Sequence, residues 1–98
     1  MEYNFVINPE IEKICEQKAK EEYELAKQIE ARWPRKTVDK DFIIQRVKEE
    51  IYHRGLILKP RNVNMSEFAD PKSEVKRAWY DLRAKYAEEA VNKVMEEN

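Results

Sequence analysis

Gly55 is the only glycine in a chain of 98 residues. Folds built from many short strands need glycine at their tight turns, because glycine enters positive φ without steric cost. A single glycine therefore argues against an all-β fold and favours a few long helices joined by short connections. Apolar residues make up 42% of the chain and charged residues 40%, which is too apolar for disorder and suits solvated helices around one modest core.

Three segments carry apolar residues at helical spacing, and together they predict an all-α, three-helix domain that spans residues 1–98. The predicted elements are two long helices at about 9–33 and 71–95 and a middle helix at about 38–54. Asn8-Pro9 and Asp70-Pro71 each place a capping side chain before a proline, as at the start of many helices. Gly55 stands where the middle helix should end in a left-handed residue.

Two short segments outside the helices are candidates for a small two-stranded ribbon. Residues 2–7 alternate between two faces, and residues 56–59 form an apolar run that a proline ends. Two strands alone are marginally stable, so a buried loop at 56–59 stays an alternative. Residues 64–69 look like one additional helical turn, with Asn64 as its cap.

The apolar stripes of the predicted helices define an expected core. We expect the following side chains to be largely buried: Ile14, Leu25, Ile29, Ile43, Val47, Ile51, Trp79, Leu82 and Tyr86. Cys15 lies on the same stripe of the first helix and is expected to be a core thiol. Trp33 is expected to be the last core residue of that helix, with an exposed binding residue as the alternative.

The sequence offers little for catalysis or metal binding. One cysteine excludes a disulfide framework and a thiolate metal site, and one glycine cannot build a phosphate-binding loop. The pair Glu50 and His53 has the spacing of half a di-iron motif, which needs a second copy. Cys15 and His53 lack a third group to orient them as a nucleophile and base. We therefore expect no enzyme activity, no cofactor and no metal.

Localisation is inferred from what the sequence lacks. Residues 1–7 do not have the pattern of a signal peptide, and no apolar run approaches the length of a membrane span. We expect a cytoplasmic protein with no membrane partner.

Tyr80 is the leading candidate for a partner-binding residue, because it lies about 100° around the helix from Trp79 and is not needed for the core. Tyrosine beside arginine is the combination that dominates many protein interfaces. The expected binding residues are Tyr80, Lys76, Arg77 and Arg83, extended by Lys59 and Arg61 of a basic loop. These residues predict a module that binds another protein with an acidic face: a small adaptor, inhibitor or regulatory subunit of the kind phages and mobile elements encode.

Nucleic-acid binding is the alternative. The net charge is −1, whereas residues 32–61 hold nine basic and four acidic residues. The candidate phosphate contacts in this stretch are Arg35, Lys36, Lys40 and Arg46, with Arg46 pointing outward from the middle helix. Acidic residues on the same helix weigh against this interpretation. Self-association is a further alternative.

Overall fold

The computed structural model describes residues 3–97 of the chain. Within that range the helices are α1 (Ile11–Arg32), α2 (Lys40–His53), α3 (Met65–Ala69) and α4 (Glu74–Glu97), and the strands are β1 (Val6–Ile7) and β2 (Ile57–Leu58). The predicted all-α domain of three main helices is confirmed, and so are the small ribbon and the short helical turn. Met1, Glu2 and Asn98 lie outside the described residues, including the predicted start of the ribbon at Glu2.

Both long helices begin later than predicted, because the residues before them form turns. The side chain of Asn8 accepts a hydrogen bond from the N–H of Glu10 at 2.8 Å, and α1 starts one residue beyond. In the same way the side chain of Asp70 accepts from the N–H of Lys72 at 2.9 Å. Asparagine and aspartate favour such turns because their side chains reach the backbone two residues on. The two Asx-Pro pairs therefore precede their helices.

The middle helix ends as predicted. Asp39 caps its start by accepting hydrogen bonds from two backbone N–H groups of the first turn, at 3.0 and 3.3 Å. Gly55 has a φ of 60°, its N–H donates to the carbonyl of Tyr52, and the N–H of Leu56 donates to the carbonyl of Ile51. This pair of bonds is the Schellman motif. It turns the chain back, so that Leu56 is buried in the same core as Ile51.

The ribbon is short and depends on the helices for support. Val6 lies opposite Leu58 and Ile7 opposite Ile57 in an antiparallel pair. Two-residue strands do not persist alone in water. Here Ile57 is buried, and its carbonyl accepts a hydrogen bond of 2.8 Å from the indole Nε1 of Trp79 on α4.

The three main helices pack against one another, with α1 and α4 running in the same direction and α2 antiparallel to both. Their buried side chains form a single cluster, in which Ile43, Val47 and Ile51 of α2 lie fully or almost fully buried. The molecule measures 49 × 25 × 21 Å along its principal axes. It is elongated because the end of α1, with the start of α2 beside it, extends past the end of α4.

The prediction that the second half of α1 is buried is wrong. Leu25, Ile29 and Trp33 are 52%, 39% and 57% exposed. Lys93, near the end of α4, bonds to Glu16 in the first half of α1 at 2.8 Å, so α4 ends before it reaches these residues. Phe42 of α2 lies beside the same stretch and is also exposed. The apolar stripe of α1 continues, but the helix that would cover it does not.

The remaining core predictions are mostly confirmed. Trp79 is buried, together with the α2 residues named above, and Cys15 is fully buried. Ile14, Leu82 and Tyr86 pack against the cluster from its edge and are half-buried.

A charged cluster ties α1 to α2. Glu22 is buried, and one of its carboxylate oxygens lies 3.1 Å from Lys18 Nζ and 3.1 Å from Arg46 Nε. Arg46 also contacts Glu49 at 3.1 Å. Burial alone would raise the pKa of Glu22, but hydrogen bonds from Lys18 and Arg46 hold it below its ordinary value. The carboxylate therefore stays ionised where α1 and α2 meet.

Because the buried part of α1 ends at Glu22, truncating a core side chain should lower the free energy of unfolding more than truncating Leu25. Ile51→Ala should lower the free energy of unfolding by about 2–5 kcal/mol, because it leaves a cavity in a packed core. Leu25→Ala should cost less than about 1 kcal/mol, because its side chain is already half in water. Urea titration of both variants measures the two values. Equal losses would contradict this boundary.

The Glu22 cluster predicts a dependence of stability on pH. Because the folded-state pKa of Glu22 lies below its ordinary value, its contribution is present above the unfolded-state pKa and is lost as pH falls through the folded-state pKa. Glu22→Gln should therefore cost about 1–2 kcal/mol at pH 7 and much less near pH 3. Urea titration at both pH values is the measurement, with the exposed Glu24→Gln as the matched control. A cost that does not change with pH would show that charge is not involved.

Candidate functional site

An apolar cleft of about 550 Å³ opens between the ribbon, the end of α2, the helix α3 and the start of α4. Its exposed apolar side chains are Tyr52, Leu58 and Met65, and each is more than half exposed. Phe68 and Trp79 lie deeper in the same cleft. We call this cleft the aromatic groove. Large apolar side chains gathered in one exposed cleft are typical of a binding surface.

Trp79 forms the floor of the aromatic groove and is held in place from several sides. Its indole N–H donates to the carbonyl of Ile57, which fixes the plane of the ring. The rings of Tyr52 and Phe68 stand edge-on to it, with centroids 6.3 and 6.2 Å away. Edge-to-face pairs of this kind are favourable because the positive ring edge meets a negative face. The floor is therefore built before any ligand arrives.

Lys76 extends over this aromatic cluster. Its Nζ lies 4.2 Å from the ring centroid of Phe68, 4.9 Å from that of Trp79 and 5.8 Å from that of Tyr80. Such cation–π contacts hold an ammonium group at the surface of the rings. Among residues 3–97, no carboxylate lies within salt-bridge distance of this ammonium.

Arg83 stacks on two rings of the same cluster and lies outside the lining of the groove. Its guanidinium carbon lies 5.0 Å from the ring centroid of Trp79 and 5.3 Å from that of Tyr80. Its Nε is cut off from solvent and has no hydrogen-bond acceptor in the described part of the chain. Burial lowers the pKa of Arg83 below its ordinary value, although Tyr80 and Glu49 oppose the shift. The guanidinium is thus partly desolvated without a bound carboxylate.

The structure brings most of the predicted partner-binding residues together. Tyr80, Lys76 and Arg83 surround Trp79, and Lys59 and Arg61 line the aromatic groove with Lys76. The Nζ of Lys59 donates to the carbonyl of Val63 at 2.7 Å, so the loop that carries it is closed on itself. Arg77 is exposed, and neither it nor Tyr80 nor Arg83 is among the residues that line the groove.

Sequence reasoning did not assign four of the large side chains that line the groove to a binding surface: Tyr52, Leu58, Met65 and Phe68. One signal was available, because Leu58 must face the opposite side of the ribbon from the buried Ile57. The other three meet only because α2, α3 and α4 converge, and no spacing along the chain encodes that meeting.

The predicted nucleic-acid contacts differ in their surroundings. The side chain of Arg46 is 43% exposed, and its guanidinium binds Glu22 on α1 and Glu49 on its own helix. Lys36 lines a small cleft beside Leu25 and Phe42. Arg35 and Lys40 are exposed. Arg46 is therefore occupied by carboxylates of its own chain.

The thiol of Cys15, one of the two residues considered as a nucleophile and base, occupies unreactive surroundings. Cys15 is fully buried, and burial raises the pKa of its thiol to about 11, with the charges of Glu50 and Glu16 adding to the shift. Such a thiol is a poor nucleophile at neutral pH. His53 lies edge-on to Tyr52, with ring centroids 5.4 Å apart, and Glu50 is paired with Arg54.

Two further findings concern the described residues as a whole. Residues 3–97 contain no group of three His, Cys, Asp or Glu side chains placed to hold a metal ion. None of the helices in that range combines the length and the apolar character needed to cross a membrane.

Comparison of the chain with protein-family models, with curated proteins and with solved structures gives no match. The functional interpretation therefore depends on the geometry of the aromatic groove. Its features are a prebuilt aromatic floor, exposed apolar walls and the ammonium of Lys76, which stacks on the rings without a carboxylate partner in the described residues.

Proposed function

We propose that this chain is a non-enzymatic protein-binding module that receives an acidic, apolar-anchored segment of a partner protein in the aromatic groove. The observation that carries the proposal is the cation Lys76, which lines the groove, supported by Arg83, which stacks on the same Trp79 ring outside the groove lining. Both cations lie on the ring of Trp79, and neither has a carboxylate within salt-bridge distance among residues 3–97. A partner carboxylate would supply the missing negative charge.

Apolar burial would provide most of the affinity. Covering Tyr52, Leu58 and Met65 removes exposed apolar surface from water, at roughly 25 cal/mol for each Å² buried. Trp79 is already fixed by its hydrogen bond to Ile57, so little conformational entropy is lost when a ligand covers it. Trp, Tyr and Arg are the residue types that most often dominate binding energy.

Charge would provide selectivity. The rings beneath Lys76 and Arg83 replace part of the water around these cations, and a carboxylate arriving there meets weaker dielectric screening than at an open surface. Charge-assisted hydrogen bonds are the stronger class, and an arginine fork fits a carboxylate through two N–H groups. Arg61 on the wall adds a further positive charge. An apolar segment that carries Asp or Glu is thus the ligand that suits both features.

The groove favours ligands that bind through side chains. The carbonyl of Ile57 on β2 already accepts from Trp79, so a third strand would find this acceptor occupied. An apolar side chain that binds between Leu58 and Phe68, with a carboxylate beside it, needs no backbone hydrogen bond from the edge of β2. This mode suits a small adaptor, inhibitor or regulatory subunit, and a cytoplasmic location belongs to the same proposal.

The proposal predicts which peptides the chain selects from a random 16-residue library displayed on phage. Selected sequences should combine a large apolar anchor with Asp or Glu. Leu58→Ser should weaken binding of a selected peptide by about 2 kcal/mol, roughly 30-fold, the loss typical of an interface hot spot. Trp33→Phe leaves Trp79 as the only tryptophan, so its fluorescence reports occupancy of the groove.

Leu25→Ser is the matched control for that experiment, because Leu25 and Leu58 are both 52% exposed and lie at opposite ends of the molecule. The control should bind the peptide as the unmodified chain does. Selection without acidic residues, or equal binding by both variants, would contradict the proposal.

A second prediction separates protein binding from nucleic-acid binding. Aromatic rings with nearby cations also stack on bases, so Lys76 and Tyr80 make the alternative worth testing. Tyr80→Ala with Arg83→Ala should weaken peptide binding by about 2 kcal/mol and leave the melting temperature within a few degrees. Random duplex and single-stranded probes should show no binding in fluorescence anisotropy at tens of micromolar. Salt-dependent binding of these probes that the double variant abolishes would favour the nucleic-acid alternative.

A further inference from the structure

A second exposed apolar surface lies at the end of the molecule opposite the aromatic groove. It consists of Leu25, Ile29 and Trp33 at the end of α1 together with Phe42 of α2, and we call it the hairpin patch. The buried residues of α1 end at Glu22, so its last turns extend beyond the core. A cleft of about 160 Å³ lies among Leu25, Ile29 and Phe42. Its size suits one large apolar side chain.

Two residues of opposite charge, Glu21 and Arg32, flank Leu25 of the hairpin patch along α1. Glu21 lies one turn before Leu25 and Arg32 lies two turns after it, both on the same face of the helix. Within residues 3–97 neither side chain takes part in an ion pair, and the only hydrogen bond found for Glu21 comes from Gln17 at 3.3 Å. The two residues are about 16 Å apart along the helix axis and cannot pair with each other.

We propose that the hairpin patch binds a second copy of this chain, with the two α1 helices antiparallel about a two-fold axis between Leu25 and Ile29. This arrangement seats Leu25 of each copy against Ile29 of the other, at the clefts described above. It also brings Glu21 of each copy next to Arg32 of the other, so one pairing is satisfied twice by symmetry. A parallel arrangement would place like charges together. The proposal does not depend on the proposed function of the aromatic groove.

The interface between the two copies is small, and its area limits the affinity of the dimer. The stretch from Leu25 to Trp33 is about 12 Å long, so the interface lies below the ~1,200 Å² of a standard stable complex. Association is therefore weak and reversible. Because the aromatic grooves lie at the opposite ends, the dimer leaves both of them open. Such a dimer binds a bivalent partner more tightly than a single chain does.

Sedimentation equilibrium between about 10 μM and 1 mM, which spans Kd values typical of weak interfaces, tests the proposal. The unmodified chain should show a monomer–dimer equilibrium in this range, and Leu25→Ser should weaken it at least tenfold. Leu58→Ser is the matched control, equally exposed but located in the aromatic groove, and should dimerise normally. A chain that stays monomeric, or a Leu25→Ser variant that dimerises as the unmodified chain does, would overturn the proposal.

Charge reversal tests the antiparallel geometry. Glu21→Lys and Arg32→Glu should each weaken self-association, because each places two pairs of like charges across the two-fold axis. An equimolar mixture of the two variants should associate again, since every altered residue then meets the opposite charge. Lys20→Glu makes the same charge change as Arg32→Glu but on another face of α1, and it should have no effect. A mixture that associates no better than either variant alone would rule out this geometry, and its recovery would show that both variants are folded.

Discussion

The hydrogen bond from the indole of Trp79 to the carbonyl of Ile57, 2.8 Å long and buried, joins the two parts of this fold. On one side is a ribbon too short to persist alone, and on the other is the helix α4, which is packed on α1 and α2. The bond satisfies a buried polar atom on each side, since an unpaired indole N–H or carbonyl in this position would cost about 1–3 kcal/mol. It also fixes the ring on which the aromatic groove is built.

Everything proposed for the aromatic groove follows from that fixed ring. Tyr52 and Phe68 pack edge-on to it, while Lys76 and Arg83 stack on it. Within residues 3–97 the Nε of Arg83 is buried and has no hydrogen-bond partner, which costs stability. The groove itself combines a rigid aromatic floor, exposed apolar walls and the ammonium of Lys76. The proposed binding of an acidic, apolar segment depends on this combination.

The two ends of the molecule differ because the helices end at different positions along its long axis. At the ribbon end, α2, α3, α4 and the strands converge, so apolar residues there are either buried or line a groove. At the other end the described residues are those of the α1–α2 hairpin, and Leu25 and Phe42 lie exposed side by side there. Glu22 marks the boundary between the two regions, as the last buried residue of α1 and the one that binds Arg46 of α2.

The amino-acid sequence by itself determined the local structure of this protein. Helical spacing, the Asn64 cap and the glycine at position 55 specify helices and turns through contacts among near neighbours, so these features were predictable. Periodicity also placed Tyr80 outside the core stripe.

Only the tertiary structure decided which apolar stripes are covered and which aromatic rings meet. The stripe of α1 looks the same before and after Glu22, but its burial depends on where α4 ends relative to α1. The groove likewise joins Tyr52, Met65 and Trp79 from three helices. Such contacts are set by the relative positions of whole helices, and the spacing of residues along one chain segment does not contain that information.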